Sequence, residues 1–292
     1  MISVIIVNYK VAELLVNAIE SVYRSTATDA LEVIVIDNHS EDDSRYRVTQ
    51  RFDQVVWIQN QENMGFAHAV NQGLRLAQGD TLVLLNPDSI LDPECLDQLR
   101  ICLGSDPQIG IAGGRILNPD GSIQKQCRRN IPTLRSAFFR LTLLSDLFPS
   151  LQLAHEYEID RIDDQSVSDV GAVSGSLMVF SRRLLHDIGF LDDTFFLFGE
   201  DLDYCLRARN AGYRVVYCPY ASATHLRGES RKKRPFRTLW HTHHAMSLFY
   251  RKHFRDTHPF PIRTAVRLGI WCRWIVLTIA EGIRVPISGH TR

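Results

Sequence analysis

The first half of the chain alternates short β-branched apolar runs with segments in which apolar residues recur every three or four positions. Short apolar runs are typical of buried strands, and the three-to-four spacing is typical of helices packed on one face. The predicted strands cover residues 2–7, 31–36, 55–58 and 81–85. The predicted helices cover residues 14–22, 66–77 and 94–103, the last entered through Asp92-Pro93. This alternation predicts an α/β domain of Rossmann-like type, with a mostly parallel central sheet and helices on both faces.

The second half is less regular. Residues 118–121 predict a turn within a hairpin, and residues 131–168 show no clear period, so we expect a loop or an excursion on the acceptor side there. A regular pattern returns after residue 170. It predicts a strand within 170–180, helices over 182–188 and 200–211, a helix end at Gly212 and a last short strand over 215–217.

Charge divides the chain into two parts. Residues 1–224 contain 19 Lys and Arg against 30 Asp and Glu, whereas residues 225–292 contain 14 against 3. A basic tail on an acidic body indicates an anionic partner, such as lipid headgroups, nucleic acid or a diphosphate-bearing substrate. The basic run 231–234 lacks surrounding aromatic platforms, which argues against nucleic acid.

Composition narrows the class of protein. The chain is 45% hydrophobic and 23% charged, as globular proteins are, and its six cysteines form no C-x-x-C pair. The cysteine spacing therefore indicates neither a zinc site nor a disulfide framework. The N-terminal residues lack a basic segment followed by a signal-like apolar run, so we expect a cytoplasmic protein.

The tail contains an amphipathic segment over residues 262–284. Its longest nearly apolar run, 268–280, includes Arg273 and is shorter than the roughly 20 residues of a membrane-spanning helix. On a helical projection, one arc holds Arg263, Arg267, Arg273 and Arg284, and the opposite side holds Leu268, Cys272, Ile275, Val276 and Ile279. With Trp271 and Trp274 at the flank, this pattern predicts a helix lying in an anionic membrane surface; the alternative is a helix packed on the catalytic domain. We expect His241, His243 and His244 to form a solvated helix face.

Polar residues follow the predicted strands, where ligands bind in open α/β sheets. Asp37 is placed to bind a nucleobase or ribose, or alternatively to cap the next helix. Asn63 and Gly65 open a helix whose backbone N–H groups suit a diphosphate. Asp88 is a hard-oxygen ligand for Mg²⁺ or Mn²⁺ on a Pro-stiffened turn, or alternatively a solvated turn residue.

A second group of candidates lies near a predicted helix start. An aromatic, water-excluding run over 195–198 leads directly into Glu200 and Asp201, which suits one of them to act as a general base. The alternative is that these acids and Asp203 complement the helix dipole. His225 follows the last predicted strand. A lone histidine is usually structural or solvated, so His225 is a candidate ligand only because the other candidate residues accompany it.

Together these motifs resemble the inverting family 2 glycosyltransferases of GT-A fold, within them the bacterial rhamnosyltransferase-like group. The resemblance covers about residues 1–230 and leaves the tail outside. The matching stretches are residues 3–9, 35–38, 63–66, 84–89, 175–182, 198–203 and 225–230.

The resemblance implies a role for each matched residue. Val7, Tyr9 and Asp37 would hold the nucleotide base, and Asn63 and Gly65 the ribose and diphosphate. Asp88, the last acid of the family's D-x-D motif, would bind the metal together with His225. Asn86 replaces the first Asp of that motif and offers the nucleotide a neutral contact. Asp201 would be the catalytic base, with Glu200 in support.

The implied activity is metal-dependent, inverting transfer of a sugar from a dTDP- or UDP-sugar, with L-rhamnose from dTDP-L-rhamnose favoured. The acceptor would be a polyprenyl-diphosphate-linked or oligosaccharide substrate of cell-surface polysaccharide synthesis, used at the inner face of the cell membrane. The implied domains are 1–230, divided near 115 into nucleotide-sugar and acceptor parts, and a membrane-associating tail, 231–292.

Two other functions share parts of this pattern. A sugar-nucleotide nucleotidyltransferase has a similar architecture, but the segment after the first strand is not a Gly-rich phosphate loop. A non-catalytic nucleotide- or glycan-binding module would not require Asp88, Asp201 and His225 together, so the presence of all three argues against it. A glycosidase also uses paired carboxylates, but it needs no nucleotide site.

Overall fold

The computed structural model describes residues 1–27, 29–136, 159, 165–226 and 235–284. Its strands are β1 (Ile2–Asn8), β2 (Leu31–Asp37), β3 (Val56–Gln59), β4 (Thr81–Leu85), β5 (Ser89–Leu91), β6 (Ile109–Leu117), β7 (Arg128–Arg129), β8 (Ser168–Asp169), β9 (Ala172–Val173), β10 (Leu177–Ser181) and β11 (Arg214–His225). Its helices are α1 (Ala12–Tyr23), α2 (Ser44–Thr49), α3 (Phe66–Leu76), α4 (Cys95–Gly104), α5 (Arg182–Ile188), α6 (Glu200–Asn210), α7 (Pro235–His253) and α8 (Phe260–Arg284).

A central, mostly parallel sheet carries the fold, in the order β3-β2-β1-β4-β10-β6-β11-β5, with β8 beside β11. Strands β1 to β4 are parallel because helices connect successive strands, and β6 and β11 are also parallel. β10 runs antiparallel between β4 and β6, since the chain enters it directly from β9. The predicted α/β class and mostly parallel sheet are confirmed.

Close packing of α3 against the sheet requires a small residue on the helix. A Cβ on Gly73 of α3 would come within 2.6 Å of Ile5 Cγ2 on β1, so this glycine allows α3 to lie against the sheet. Asn71 of the same helix is buried and bonds the backbone of Leu191. Both residues hold α3 in place rather than facing a ligand.

The second half of the fold differs most from expectation. The last strand covers Arg214–His225, much longer than the predicted 215–217, so His225 ends this strand instead of following it. A change of register between Cys218 and Ser222 interrupts the apolar pattern, which hides the continuation of the strand. The 118–121 turn lies within the bridge between Leu117 and Ile123, whereas most of the loop expected over 131–168 falls outside the described residues.

Both C-terminal helices pack on the body of the protein. Leu248 and Phe249 of α7 belong to the main core, and α8 contacts α7 through Trp271, whose ring lies 5.3 Å from that of Trp240. His243 is fully buried, so the expected solvated histidine face is wrong for this residue, while His244 is exposed. Within the described ranges, no helix combines the length and apolarity needed to cross a membrane.

Candidate active site

A cavity of about 1200 Å³ opens where the carboxyl ends of the parallel strands meet the C-terminal helices. This is the edge at which open α/β sheets bind ligands. The predicted site residues that line it are Val7, Tyr9, Asn63, Gly65, Asn86, Asp88, Glu200, Asp201 and His225. Asp37 does not line it.

Asp37 instead holds the ends of two strands together. Its buried carboxylate accepts hydrogen bonds from Asn8 Nδ2 at 2.6 Å, from Gln59 Nε2 at 2.5 Å, and from the backbone and hydroxyl of Ser40. It does not cap the next helix, whose N-cap residue is Asp43. The contacts of Asp37 thus hold the neighbouring strand ends in place, and the next residue, Asn38, lines the cavity.

Asn38 organises the turn that contains Asn63 and Gly65. Its Nδ2 donates to Asn63 Oδ1 at 3.0 Å and to the Gly65 carbonyl at 3.1 Å, and its Oδ1 accepts from the Met64 N–H at 3.0 Å. Gly65 has φ +89°, and a Cβ there would lie 2.8 Å from the Phe196 carbonyl oxygen. Only glycine therefore fits between this turn and the aromatic run. No separate role was predicted for Asn38, although its position directly after a buried strand is a usable signal.

Asp88 and His225 meet at the centre of the cavity. His225 Nε2 lies 2.9 Å from Asp88 Oδ1, and both side chains are largely buried. Gln124 donates its Nε2 to the His225 carbonyl at 3.0 Å, which turns its Oε1 toward His225 Nδ1 at 3.1 Å. Because an amide oxygen only accepts, Nδ1 of His225 carries the proton and Nε2 faces the carboxylate.

This donor set fits a divalent cation. An imidazole nitrogen and a carboxylate oxygen converge 2.9 Å apart, and a cation bound between them in place of a proton would take a lone pair from each. Within the described residues, no group of three or more His, Cys, Asp or Glu side chains is placed to hold a metal. A cation bound here would therefore take its remaining ligands from substrate oxygens and water. Asn86 Nδ2, 3.4 Å from His225 Nε2, adds a neutral contact beside the pair.

Asp201 lines the same cavity from the start of α6. Its Oδ2 accepts from Arg129 Nη2 at 2.7 Å and from the Gly175 N–H at 3.1 Å, and its Oδ1 accepts from the Leu202 N–H at 2.7 Å. These bonds fix the orientation of the carboxylate. Arg129 was not predicted, because it reaches Asp201 only through the pairing of β7 with β9.

Glu200 precedes Asp201 at the same helix start and is buried against the cavity. The chain enters α6 through Gly199, whose φ is +83° and whose absent Cβ would lie 3.1 Å from the Phe195 ring. The aromatic run therefore packs against the helix start, as the sequence predicted. This packing shields the two carboxylates from bulk water.

Asp203 belongs to a different structure. Its fully buried carboxylate contacts Arg207 on its own helix, and Lys252 and His253 on α7. Burial raises the pKa of Asp203, but hydrogen bonds from His253 and Lys252 and the charge of Arg207 together lower it below its usual value. Asp203 thus ties α7 to the catalytic body and does not reach the cavity.

A short loop links the two sides of the site. The Ser176 carbonyl accepts from the Asn86 N–H at 3.0 Å, and the Gly175 N–H donates to Asp201. The turn that carries Asp88 and the helix that carries Asp201 are therefore held by adjacent residues of one segment. A substrate between them would meet a cation site on one side and a carboxylate on the other.

The C-terminal helices complete the wall of the cavity, which the sequence did not predict. His241 stacks on Phe196 with ring centroids 4.8 Å apart, and Arg237 lies over the same ring. From α8, Arg273 and Ile270 also line the cavity. The arginine arc read from the sequence therefore includes a residue that faces inward, toward the site.

Comparisons with known proteins agree with this geometry. The family model described as "Glycosyltransferase like family 2" matches residues 1–243. The chain is 26% identical over 255 residues to the N-acetylglucosaminyl-diphospho-decaprenol L-rhamnosyltransferase of Mycobacterium tuberculosis, covering 83% of this chain and 82% of that protein. It is 27% identical over 228 residues to the low-salt glycan biosynthesis hexosyltransferase Agl10 of Haloferax volcanii, covering 77% of this chain and 66% of the other.

Solved structures show the same fold. The mannosyltransferase PcManGT from Pyrobaculum calidifontis, solved with GDP-Man and Mn²⁺, matches with a TM-score of 0.61 and 18% identity, over 99% of this chain and 76% of that one. GalNAc-T7, solved with UDP, GalNAc and Mn²⁺, matches with a TM-score of 0.59 and 15% identity, over 97% and 57%. With its sequence match, sheet order and site together, the chain belongs to glycosyltransferase family 2 and is a glycosyltransferase of GT-A fold.

Proposed function

We propose that this enzyme transfers L-rhamnose from dTDP-L-rhamnose, with inversion, to a lipid-linked or saccharide acceptor in cell-surface polysaccharide synthesis. The observation that carries the proposal is the placement of the Asp88–His225 pair and the Asp201 carboxylate in one cavity, held by adjacent residues of one loop. The name of the mycobacterial relative supports both the rhamnosyl donor and a lipid-diphosphate acceptor.

The nucleotide of the donor would bind at the strand ends. Val7 near the end of β1 and Tyr9 just after it line the cavity and would contact the base, and the Asn63–Gly65 turn would present backbone groups to the ribose and diphosphate. Asp37 acts here through Asn8, Ser40 and Gln59, which keep the strand ends in register. Direct contact of Asp37 with the base would need these bonds to rearrange.

Asp88 and His225 would hold Mg²⁺ or Mn²⁺, with Asn86 beside them as a neutral neighbour. When bound, the cation neutralises charge that develops on the departing diphosphate. Gln124 keeps His225 in the tautomer that leaves Nε2 available as a ligand. The Mn²⁺ in two related folds supports this assignment.

Asp201 would take the proton from the attacking acceptor hydroxyl. Its carboxylate is held by Arg129, Gly175 and Leu202, and ordered carboxylates are the usual bases for hydroxyl groups. Asp201 and the cation site line the same cavity. With the sugar bound between them, the acceptor oxygen would approach it opposite the departing diphosphate. Displacement in that arrangement inverts the anomeric carbon. Glu200 supports Asp201 from the preceding position.

The tail would bring this site to the inner face of the cell membrane. The apolar stripe on the outer side of α8 is exposed, with Leu268 at 60% and Ile279 at 59% of full exposure. This is the side predicted to enter an anionic lipid surface, while the Trp271 side packs on α7. One face of the helix packs on α7, and the opposite, exposed face would meet the lipid.

A donor panel tests the proposal. The full-length enzyme is assayed with Mn²⁺, a polyprenyl-diphosphate-linked sugar acceptor and each of dTDP-L-rhamnose, UDP- and GDP-sugars, and the product anomer is read by NMR. Transfer restricted to dTDP-L-rhamnose, with the opposite anomeric configuration in the product, is the expected result. Preferred transfer from another donor, or retention of configuration, contradicts the proposal.

A further inference from the structure

The part of the cavity formed by α7 and α8 differs in character from the part at the strand ends. Among its described lining residues, all three carboxylates, Asp88, Glu200 and Asp201, come from the catalytic body, and α7 and α8 contribute none. The two helices contribute instead two arginines and two histidines, His258 between them adds a third histidine, and aromatic and aliphatic side chains complete this part of the lining. This lining is basic and apolar at once, which suits an anion attached to a hydrocarbon chain.

Arg273 of α8 holds a defined position in this wall. Its Nη1 lies 3.1 Å from Nε2 of the buried His243 on α7. His243 Nδ1 lies 2.8 Å from the Leu239 carbonyl, to which it donates, so Nε2 is the acceptor for the guanidinium. Burial lowers the pKa of His243, against a smaller raising effect of the Leu239 bond, and the charge of Arg273 lowers it further. A neutral His243 therefore orients Arg273.

The surroundings of Arg273 supply the apolar half of the lining. Ile270 and Leu277 flank it on α8, and Phe249 and Phe254 face the same space from the α7 side. The outer face of the same helix is the exposed apolar stripe. A lipid that leaves a membrane beside α8 would thus enter a space in which apolar side chains surround the Arg273 guanidinium.

We propose that Arg273, positioned by His243, binds the diphosphate of a prenyl-type lipid acceptor in the α7–α8 part of the cavity. The inference rests on the proposed function for its acceptor class, and it assigns that acceptor a site separate from the Asp88–His225 pair. Guanidinium groups bind phosphate oxygens through paired, charge-assisted hydrogen bonds, so Arg273 suits this role. His243 is a positioning residue and makes no contact with the acceptor.

A binding experiment without catalysis tests the site. Farnesyl diphosphate is titrated into the full-length protein in EDTA, with farnesol and inorganic diphosphate as separate probes. The variant Arg273→Gln should bind farnesyl diphosphate about 10- to 100-fold more weakly than the wild type, the scale of a lost charged hydrogen bond. Farnesol binding should not change. Arg273→Lys, which keeps the charge but not the paired geometry, should show an intermediate loss.

Two matched variants distinguish this site from the other sources of phosphate affinity. Arg267→Gln removes an exposed arginine from the same helix and should leave the affinity unchanged, which separates the cavity from general surface charge. Asp88→Asn should also retain farnesyl diphosphate binding, since it alters only the cation site. Equal losses in Arg267→Gln and Arg273→Gln, or unchanged affinity in Arg273→Gln with an intact circular dichroism spectrum, overturn the inference.

Steady-state kinetics separate the failure of this inference from that of the proposed function. His243→Phe should raise KM for the lipid acceptor without raising KM for the donor, because it only releases Arg273. If no donor gives transfer, the proposed function fails while the farnesyl diphosphate result still stands. If transfer occurs and Arg273→Gln leaves the acceptor KM unchanged, the lipid diphosphate binds elsewhere.

Discussion

The two walls of the cavity are built by different means. At the strand ends, backbone turns and short polar side chains such as Asn38 fix each group through several hydrogen bonds. At the C-terminal helices, long cationic side chains lie among apolar ones, and Arg273 contacts the buried His243. The first wall suits a rigid nucleotide with many polar atoms. The second suits a substrate whose only fixed feature is an anionic group on a long apolar chain.

The largest expected effect is on the catalytic side. Asp201→Asn keeps the shape and most hydrogen bonds of the residue but cannot accept a proton, so turnover should fall by roughly 10²- to 10⁴-fold. The rate of transfer at saturating donor and acceptor measures this. Normal turnover in Asp201→Asn, together with an inactive Glu200→Gln, would assign the base to Glu200.

The next largest effect is expected from the contacts of Asp203, which tie α7 to the catalytic body. Asp203→Asn removes the charge of a fully buried carboxylate from its partly exposed partners Lys252 and Arg207, which should destabilise the fold by about 1–3 kcal/mol near pH 7. Because the pKa of Asp203 is lowered in the folded state, this stabilisation is present above its unfolded pKa, about 3.9, and is lost as pH falls through the folded value. Urea unfolding of wild type and variant should therefore differ most near pH 7 and converge in acid.

An exposed pair serves as the control for this measurement. Asp43→Asn removes the partner of Arg47 on the protein surface, where water screens the pair. Its effect on the free energy of unfolding should be far smaller. Equal destabilisation by the two variants would show that Asp203 does not tie α7 to the catalytic body.

A smaller effect, on metal affinity, is expected at Gln124, which contacts His225 next to the cation site. Gln124→Leu removes the acceptor that holds the proton on His225 Nδ1, so the affinity for Mn²⁺ should fall by about 10- to 100-fold. The dependence of transfer on Mn²⁺ concentration measures it, and excess Mn²⁺ should restore activity. If excess Mn²⁺ does not restore the activity of the variant, Gln124 supports folding rather than metal binding.

The smallest effect per residue is expected at the lipid-facing stripe. Replacing Leu268, Ile275 and Ile279 by Ser should reduce co-sedimentation with anionic phosphatidylglycerol vesicles, because each exposed side chain contributes a modest area of apolar contact. Ile101→Ser, an exposed residue on α4, is the control and should sediment like wild type. Unchanged sedimentation of the triple variant would remove α8 from membrane binding.

The first wall could be largely predicted from the sequence, and the second could not. Strand ends are local features, so Asp88, Asn63 and Gly65 could be assigned from the apolar runs that precede them. Asp37 follows the same pattern, yet it is turned inward by Gln59 from the neighbouring strand, a contact that the pattern of one strand does not contain.

Long-range contacts explain the remaining gaps. Arg129 reaches Asp201 across 72 positions of sequence, and His243 reaches Arg273 across 30. The helical projection of the tail separates an apolar from an arginine-bearing side, but it could not show that Arg273 and Ile270 face the cavity. That choice depends on contacts with other elements, such as that of Trp271 with Trp240 on α7.

Donor binding in the presence and absence of metal tests most directly the central claim that Asp88 holds the cation and Asp201 acts as the base. The nucleotide sugar selected by the donor panel is titrated by calorimetry into wild type, Asp88→Asn and Asp201→Asn, each with Mn²⁺ and with EDTA. Asp201→Asn should bind the donor as wild type does, with the same gain from Mn²⁺, whereas Asp88→Asn should lose that gain. A metal-dependent gain that survives in Asp88→Asn, or that disappears in Asp201→Asn, would contradict the account.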